Sequence, residues 1–302
     1  MSKKLTLLFT LLSGSYVFAQ KDSLPSRLLD EVVVTANKME QKQSSTGKVI
    51  TVINKEQIEK NIGKSVAQLL NEQVCITING ALNTAGAVQT VYMRGASAGR
   101  TLILLDGIPL NDPSTITTDY DLNLFSLNDV ERIEICKGAQ STLYGSDALA
   151  GVINIITIKK DVQKLFKLKA TLVVGNLSTT RTNLQLFGKK NKLSYSARFA
   201  RLATNGFSGA YDSTGSKDFD KDRYEGTVSN VQIEYQLSPS FSLKTFAMYS
   251  QYDASIDAGA FTDEKDYAIH NNSFISGGGF SYKKAMLTVN GTINLLNKIE
   301  SI

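Results

Sequence analysis

The 302-residue sequence holds one histidine, His270, and two cysteines, Cys75 and Cys136. His270 stands in a polar stretch beside Asn271 and Asn272, with no partner at metal-ligand spacing. It reads as a surface or lumen residue, and no enzyme is visible in the chain. Two cysteines so far apart in sequence fix no distance. They could pair in an oxidising compartment or remain two buried thiols. The formal net charge of +5 includes lysines of the N-terminal segment and makes no case for nucleic-acid binding. The apolar run from Leu5 to Phe18 is too short for a comfortable membrane span.

That run has the layout of a secretory signal peptide over residues 1–19. Lys3 and Lys4 give the positive start, and Val17-Phe18-Ala19 gives a small-residue cleavage site before Gln20. No cysteine follows the site, so lipid attachment there is not expected. A polar lead, Gln20 to Leu29, is too short for a folded domain. It ends at Asp30-Glu31-Val32-Val33-Val34-Thr35-Ala36, whose valines and threonine favour extended backbone. The segment is either a mobile strand for a partner's sheet edge or the first strand of the next domain.

From Lys48 to Thr157 the pattern is mixed α/β. Lys48 to Ile53 reads as a strand. Asn54-Lys55-Glu56-Gln57 and Ser65-Val66-Ala67-Gln68 have the form of capping boxes, each opening a short helix. Leu69 and Leu70 fall on the buried side. Val74, Ile76 and Ile78 alternate as a strand, Val91 and Met93 lead into Arg94-Gly95, and Leu102 to Leu105 ends at Asp106-Gly107. The run VERIEICKGAQSTLYGSDALAGVINIIT, Val130 to Thr157, is the most distinctive. Its charged strand, its glycines Gly138, Gly145 and Gly151, its short turn at Ser141 to Leu143 and its β-branched end follow in fixed order.

This ordered set resembles the plug domain of TonB-dependent outer-membrane receptors, in which a plug fills a transmembrane β-barrel. It departs from that pattern where Val74 lacks a preceding proline-glycine and where Cys136 stands in place of an aliphatic or basic residue. The resemblance implies several roles. Asp30 to Ala36 corresponds to the TonB box, the segment grasped by TonB and its inner-membrane energy-transducing complex. Two polar plug loops, Asn83 to Gln89 and Asn111 to Asp121, correspond to ligand-facing apices. Asn83, Thr84, Asn111, Asp112, Ser114 and Tyr120 are their candidate ligand contacts. Arg94 and Lys137, each before a glycine, correspond to cations that pair with barrel glutamates.

After Leu165, strand-length stretches alternate apolar and polar residues. Leu193, Tyr195, Ala197 and Phe199 interleave with Ser194, Ser196, Arg198 and Ala200, and Val231, Ile233, Tyr235 and Leu237 with Gln232, Glu234 and Gln236. Short turns at Gly188 to Asn191, Ser238 to Ser240 and Lys283-Lys284 contrast with long loops at Asn205 to Asp222 and Asp253 to Tyr267. That asymmetry suits a membrane barrel. About seven strands are expected, where a plugged transporter needs about 22, so an incomplete barrel is expected.

The first long loop holds Asp212, Asp218, Asp220 and Asp222, the second Asp253, Asp257, Asp263 and Asp266. Clustered carboxylates suit calcium or are merely solvated loops. The resemblance implies structural calcium, as in cobalamin receptors.

The expected architecture is a signal peptide (1–19), a periplasmic segment with the box (20–47), a mixed α/β plug (48–160) and antiparallel transmembrane barrel strands (161–302). By resemblance it implies an outer-membrane receptor, in contact with membrane lipid, that imports a small metal chelate. That chelate is a ferric siderophore or a cobalamin. A receptor or adhesin without transport is the alternative.

Overall fold

The computed structural model describes residues 32–33, 35, 37–38, 41–87, 89–110, 120, 122–157, 165–213, 215, 219–284 and 287–301. Two compact units, Met1–Glu31 and Val32–Ile302, divide the chain, and all described residues belong to the second. The expected signal peptide and Gln20 to Leu29 lie outside the described residues.

Both capping boxes form. Asn54 accepts from the Gln57 amide at 3.1 Å while the Gln57 side chain accepts from the Asn54 amide at 3.1 Å. Ser65 and Gln68 repeat the exchange at 3.1 and 3.0 Å. These caps satisfy first-turn amides that would otherwise lack partners. They start α1 (Lys55–Lys60) and α2 (Val66–Asn71). The second helix buries Val66, Ala67, Leu69 and Leu70 against the core. Truncating such a leucine to alanine costs about 2–5 kcal/mol.

The small strands are β1 (Val32–Val33), β2 (Gln41–Lys42), β3 (Val49–Ile53), β4 (Ile76–Asn79), β5 (Thr90–Met93), β6 (Thr101–Leu105), β7 (Ile108–Pro109), β8 (Val130–Lys137) and β9 (Gly151–Thr157). A five-stranded sheet runs β3-β8-β9-β6-β7. Its central strand β9 is buried along its whole length, as its β-branched run requires. The pair β6–β9 is parallel and β8–β9 antiparallel. Asp106 and Gly107 both take positive φ, 51° and 85°, and close the β6–β7 hairpin. An Asp-Gly pair favours that turn. The β4 strand starts at Ile76, later than expected, because Cys75 bends the chain at φ 68°.

Beyond the plug, β10 (Lys167–Val174), β11 (Thr180–Lys190), β12 (Leu193–Thr204), β13 (Tyr224–Ser238), β14 (Phe241–Ser255), β15 (Ala268–Lys284) and β16 (Leu287–Ser301) form one antiparallel meander of seven strands. Among the described residues β10 and β16 pair on one side only, so these strands do not close on themselves. Val231, Ile233, Tyr235 and Leu237 are 40–46% exposed on the outer face. Asn183, Ser196, Ser250 and Ser273, with Ala200, are buried on the inner face. Apolar outside and mostly polar inside is the membrane-barrel arrangement. No helix among the described residues is long and apolar enough to cross a membrane, which says nothing of strands.

The plug does not carry a self-contained core. Phe246, Met248 and Ile275 of the wall join the cluster that holds Ile53, Leu70, Met93, Leu105 and Ile153. Polar ties cross the same boundary. Lys169 donates to the Asn128 carbonyl at 2.7 Å, Arg181 to the Phe125 carbonyl at 3.1 Å, and Asn183 to the Ser126 hydroxyl at 3.1 Å.

Candidate functional site

Two places on this framework gather chemistry. The first lies where the valine-rich lead meets the plug. Among the described residues Val32–Val33 pairs only with Gln41–Lys42, in a two-residue ladder apart from the five-stranded sheet. Val33 is wholly buried with Ile50, Leu102, Leu104, Cys136, Ala148 and Val152. Two residues on, Thr35 gives both its amide and its hydroxyl to one oxygen of Glu134, at 2.8 and 2.6 Å. Arg132 supports the other oxygen at 2.8 Å. Glu134 is fully buried, and a buried carboxylate is tolerable only with such donors.

Asn154 donates to the Thr35 hydroxyl at 3.1 Å, and the Tyr144 hydroxyl donates to the Thr35 carbonyl at 3.1 Å. Burial, then nearby Cys136 and Glu134, push the Tyr144 hydroxyl above its usual range, so it stays a donor. Burial also raises the Cys136 thiol. Lys38 sits 4.6 Å from the Tyr144 ring centre. Asp30, Glu31, Val34, Ala36 and the Val32 side chain lie outside the described residues.

The second place lies where the two long loops meet. Oxygens of Asp220, Asp257 and Asp263 lie within 4.8 Å of one another. Asp257 accepts from the Ala210 amide at 2.6 Å and the Ser208 hydroxyl at 3.1 Å, and Asp222 accepts from the Gly209 amide at 2.5 Å. The Asp220 amide donates to Asp263 at 3.1 Å, and the Tyr211 amide to the Ala260 carbonyl at 2.7 Å. Among the described residues one oxygen of Asp220 is buried with no hydrogen-bond partner. Burial, then the carboxylate of Asp263, push Asp220 up. Burial raises Asp222 to about 6, against the pull of the Gly209 amide and helped by Asp257 and Asp220.

The structure therefore redistributes the expected acidic set. Asp220 is at the centre and Asp222 beside it. Asp212 instead accepts from the Gly215 amide of its own turn at 2.8 Å, and Asp218 lies outside the described residues. Asp257 and Asp263 complete the group from the second loop. Their place was not legible because it depends on the register of β13 against β14, which no local spacing encodes.

The first plug apex reaches this place. A side chain on Gly209 would lie 3.0 Å from an oxygen of Asp222 and 3.8 Å from the Asn83 side-chain oxygen. Asn83 also accepts from the Thr84 amide at 2.8 Å, and Thr84 is buried. Next to it, Ala85 packs with Leu202, Tyr224 and Ala254 of the wall. Tyr120, expected at the second apex, instead stacks on Phe125 at 5.5 Å and packs against the plug core. Asn111, Asp112 and Ser114 lie outside the described residues.

Among the described residues no ion pair joins Arg94 or Lys137 to a barrel glutamate. Arg94 is exposed at φ 53°, its guanidinium directed toward Gly138. At Asp129 the charges are the other way round, a plug acid facing wall cations. Burial holds Asp129 at about 6, with Arg198, Lys169 and Arg181 drawing it down. Cys75 is exposed and Cys136 buried, both free, so neither a disulfide nor two buried thiols describes them. The His270 imidazole meets the Asp253 carboxylate, both exposed.

Comparison with known proteins agrees with this geometry. Residues 42–152 match the TonB-dependent Receptor Plug Domain. The chain is 39% identical over 137 residues to the vitamin B12 transporter BtuB of Vibrio cholerae serotype O1, a match covering 45% of this chain and 22% of that protein. The ferric enterobactin receptor PfeA of Pseudomonas aeruginosa, as a mutant structure, superposes with TM-score 0.68 at 17% identity, over 89% of this chain and 42% of that one. The ferric yersiniabactin uptake receptor FyuA of Yersinia pestis gives TM-score 0.63 at 17% identity, over 85% and 42%. The match thus spans about a fifth of the curated relative and about two fifths of each solved chain. Residues 42–152 thus match a plug of the TonB-dependent receptor family, and the fold of the plug and the antiparallel strands after it is that of the solved receptors.

Proposed function

We propose that this protein imports a scarce metal chelate across the bacterial outer membrane, driven by TonB acting on Asp30 to Ala36. The observation that carries the reading is the seat of Thr35. The segment is held on the plug by the burial of Val33 and by the hydrogen bonds of Thr35, and among the described residues its only ladder is to Gln41–Lys42, outside the five-stranded sheet. A segment that no sheet of the plug incorporates can leave without breaking that sheet and add to a partner's sheet edge. An adhesin has no use for such a segment.

A cobalamin is the leading ligand, supported by the 39% identity to a vitamin B12 transporter. The acidic loop group supports the same choice. Asp220, Asp257 and Asp263, with Asp222 adjacent, offer hard oxygens to a cation, and the unpartnered Asp220 oxygen fits one. Calcium there would neutralise the mutual repulsion of the carboxylates and fix the two loops beside Asn83. A ferric siderophore is the second reading, favoured by the fold of the enterobactin and yersiniabactin receptors. Accumulation of labelled cobalamin and of a panel of labelled ferric siderophores in cells expressing the protein separates the two. Energy-dependent accumulation of cobalamin alone supports the leading choice. Accumulation of a ferric chelate alone moves the ligand to the second, and surface binding without accumulation contradicts import.

A further inference from the structure

Asn154 stands between the Thr35 seat and a turn that faces the barrel wall. Its side chain is buried and bonded at both ends. The amide nitrogen donates to the Thr35 hydroxyl at 3.1 Å, and the amide oxygen accepts from the Gly107 amide at 3.1 Å. Gly107 belongs to the tight Asp106-Gly107 turn, whose other ties are to β9. Asp106 donates its amide to the Ile155 carbonyl at 2.9 Å, and its carboxylate accepts from the Thr157 amide and hydroxyl at 3.0 and 2.6 Å.

On its far side the turn meets space. Asp106, Gly107 and Ile108 line a cavity of about 170 Å³ against the wall. The wall there includes Lys244 and Phe246 and is thinned by Gly279. The plug core is thus packed on one side of the turn and open on the other.

We propose that Asn154 is a positioning residue that links the coupling segment to this turn. When Thr35 is drawn away, Asn154 loses the only acceptor described for its buried amide nitrogen. An unpaired buried amide is unfavourable, so the side chain reorients toward another partner. Its oxygen then leaves Gly107, and the turn is freed on the side where the cavity gives it room. Withdrawal of the segment therefore loosens the plug at the barrel wall, not only at the segment's own seat. The assignment deepens the proposed import function and rests on it for its purpose, but the linkage belongs to the plug alone.

Hydrogen–deuterium exchange on the full chain tests it without TonB or ligand, so failure of the import reading would leave the result intact. Thr35→Val keeps the backbone bond to Glu134 and removes the hydroxyl. It should speed exchange in a peptide covering residues 102–110 about tenfold, the scale of one lost hydrogen bond, with residues 66–71 of α2 unchanged. On an Asn154→Leu background the same change should add nothing further, because the link is already cut. Unchanged exchange in Thr35→Val, or effects that multiply in the double variant, would overturn the proposal. If Asn154→Leu does not fold, labelling of Ser242→Cys on the cavity wall, in a chain whose exposed Cys75 is removed by Cys75→Ser, decides it. Faster labelling with Thr35→Val supports the link, and equal labelling overturns it.

Discussion

At the scale of single residues, the acidic loop group is defined by groups held away from their usual ionisation. Asp222 lies at about 6 because it is buried, and Asp220 is raised by burial and by Asp263. A carboxylate raised in the fold stabilises it when protonated. For Asp222 that contribution is complete below the unfolded value of about 3.9 and is lost as pH rises through about 6. A divalent cation needs the opposite, ionised state. Calcium should therefore bind the protein measurably at pH 7.5 and weakly at pH 5, releasing protons as it binds. Titration calorimetry at the two pH values measures this, and Asp220→Asn with Asp263→Asn should remove the heat. No binding heat at either value would leave the carboxylates as solvated loops, and equal affinity at both would contradict the raised Asp220 and Asp222.

At the scale of elements, the plug apex offers a direct comparison of two glycines. Gly86 has φ +93°, and a side chain there would overlap Ala254 and come within 3.1 Å of Tyr224. Gly63 has φ +112° with nothing within 4 Å. Alanine at either site meets the strain of a left-handed backbone, about 1–2 kcal/mol. Only Gly86→Ala adds overpacking, about 1–3 kcal/mol. Limited proteolysis should cut Gly86→Ala near residues 83–87 faster than wild type, while Gly63→Ala leaves that loop unchanged. Equal cleavage of the two variants would mean that the apex does not rest on the wall.

The same elements show what sequence can carry. The caps at Asn54 and Ser65 and the Asp106-Gly107 turn were legible because their chemistry is completed within four residues. The outward face of β13 was legible because strand period puts Val231, Ile233, Tyr235 and Leu237 on one side. Thr35 and Glu134 were not, because their bond joins positions 99 apart, and Glu134 read only as charge on a strand. The ties from Lys169, Arg181 and Asn183 to the plug were hidden likewise, since each depends on where a separate sheet comes to rest. Arg94 and Lys137 were selected by position before a glycine, which fixes backbone geometry and not a partner's side chain.

At the scale of the whole molecule, plug and wall share one core, and the proposed coupling segment seats Val33 in a second cluster made of plug residues. The central claim is that this segment is a releasable handle for energy-driven import. Val33→Pro addresses it most directly. Proline deletes the Val33 amide that the proposed strand addition to TonB would use, and it leaves the long loops untouched. The decisive measurement is accumulation of labelled cobalamin by cells expressing the protein, set beside ligand bound at the surface of the same cells. The account predicts that Val33→Pro abolishes accumulation while surface binding stays at the wild-type level. Accumulation that persists unchanged in Val33→Pro would contradict it.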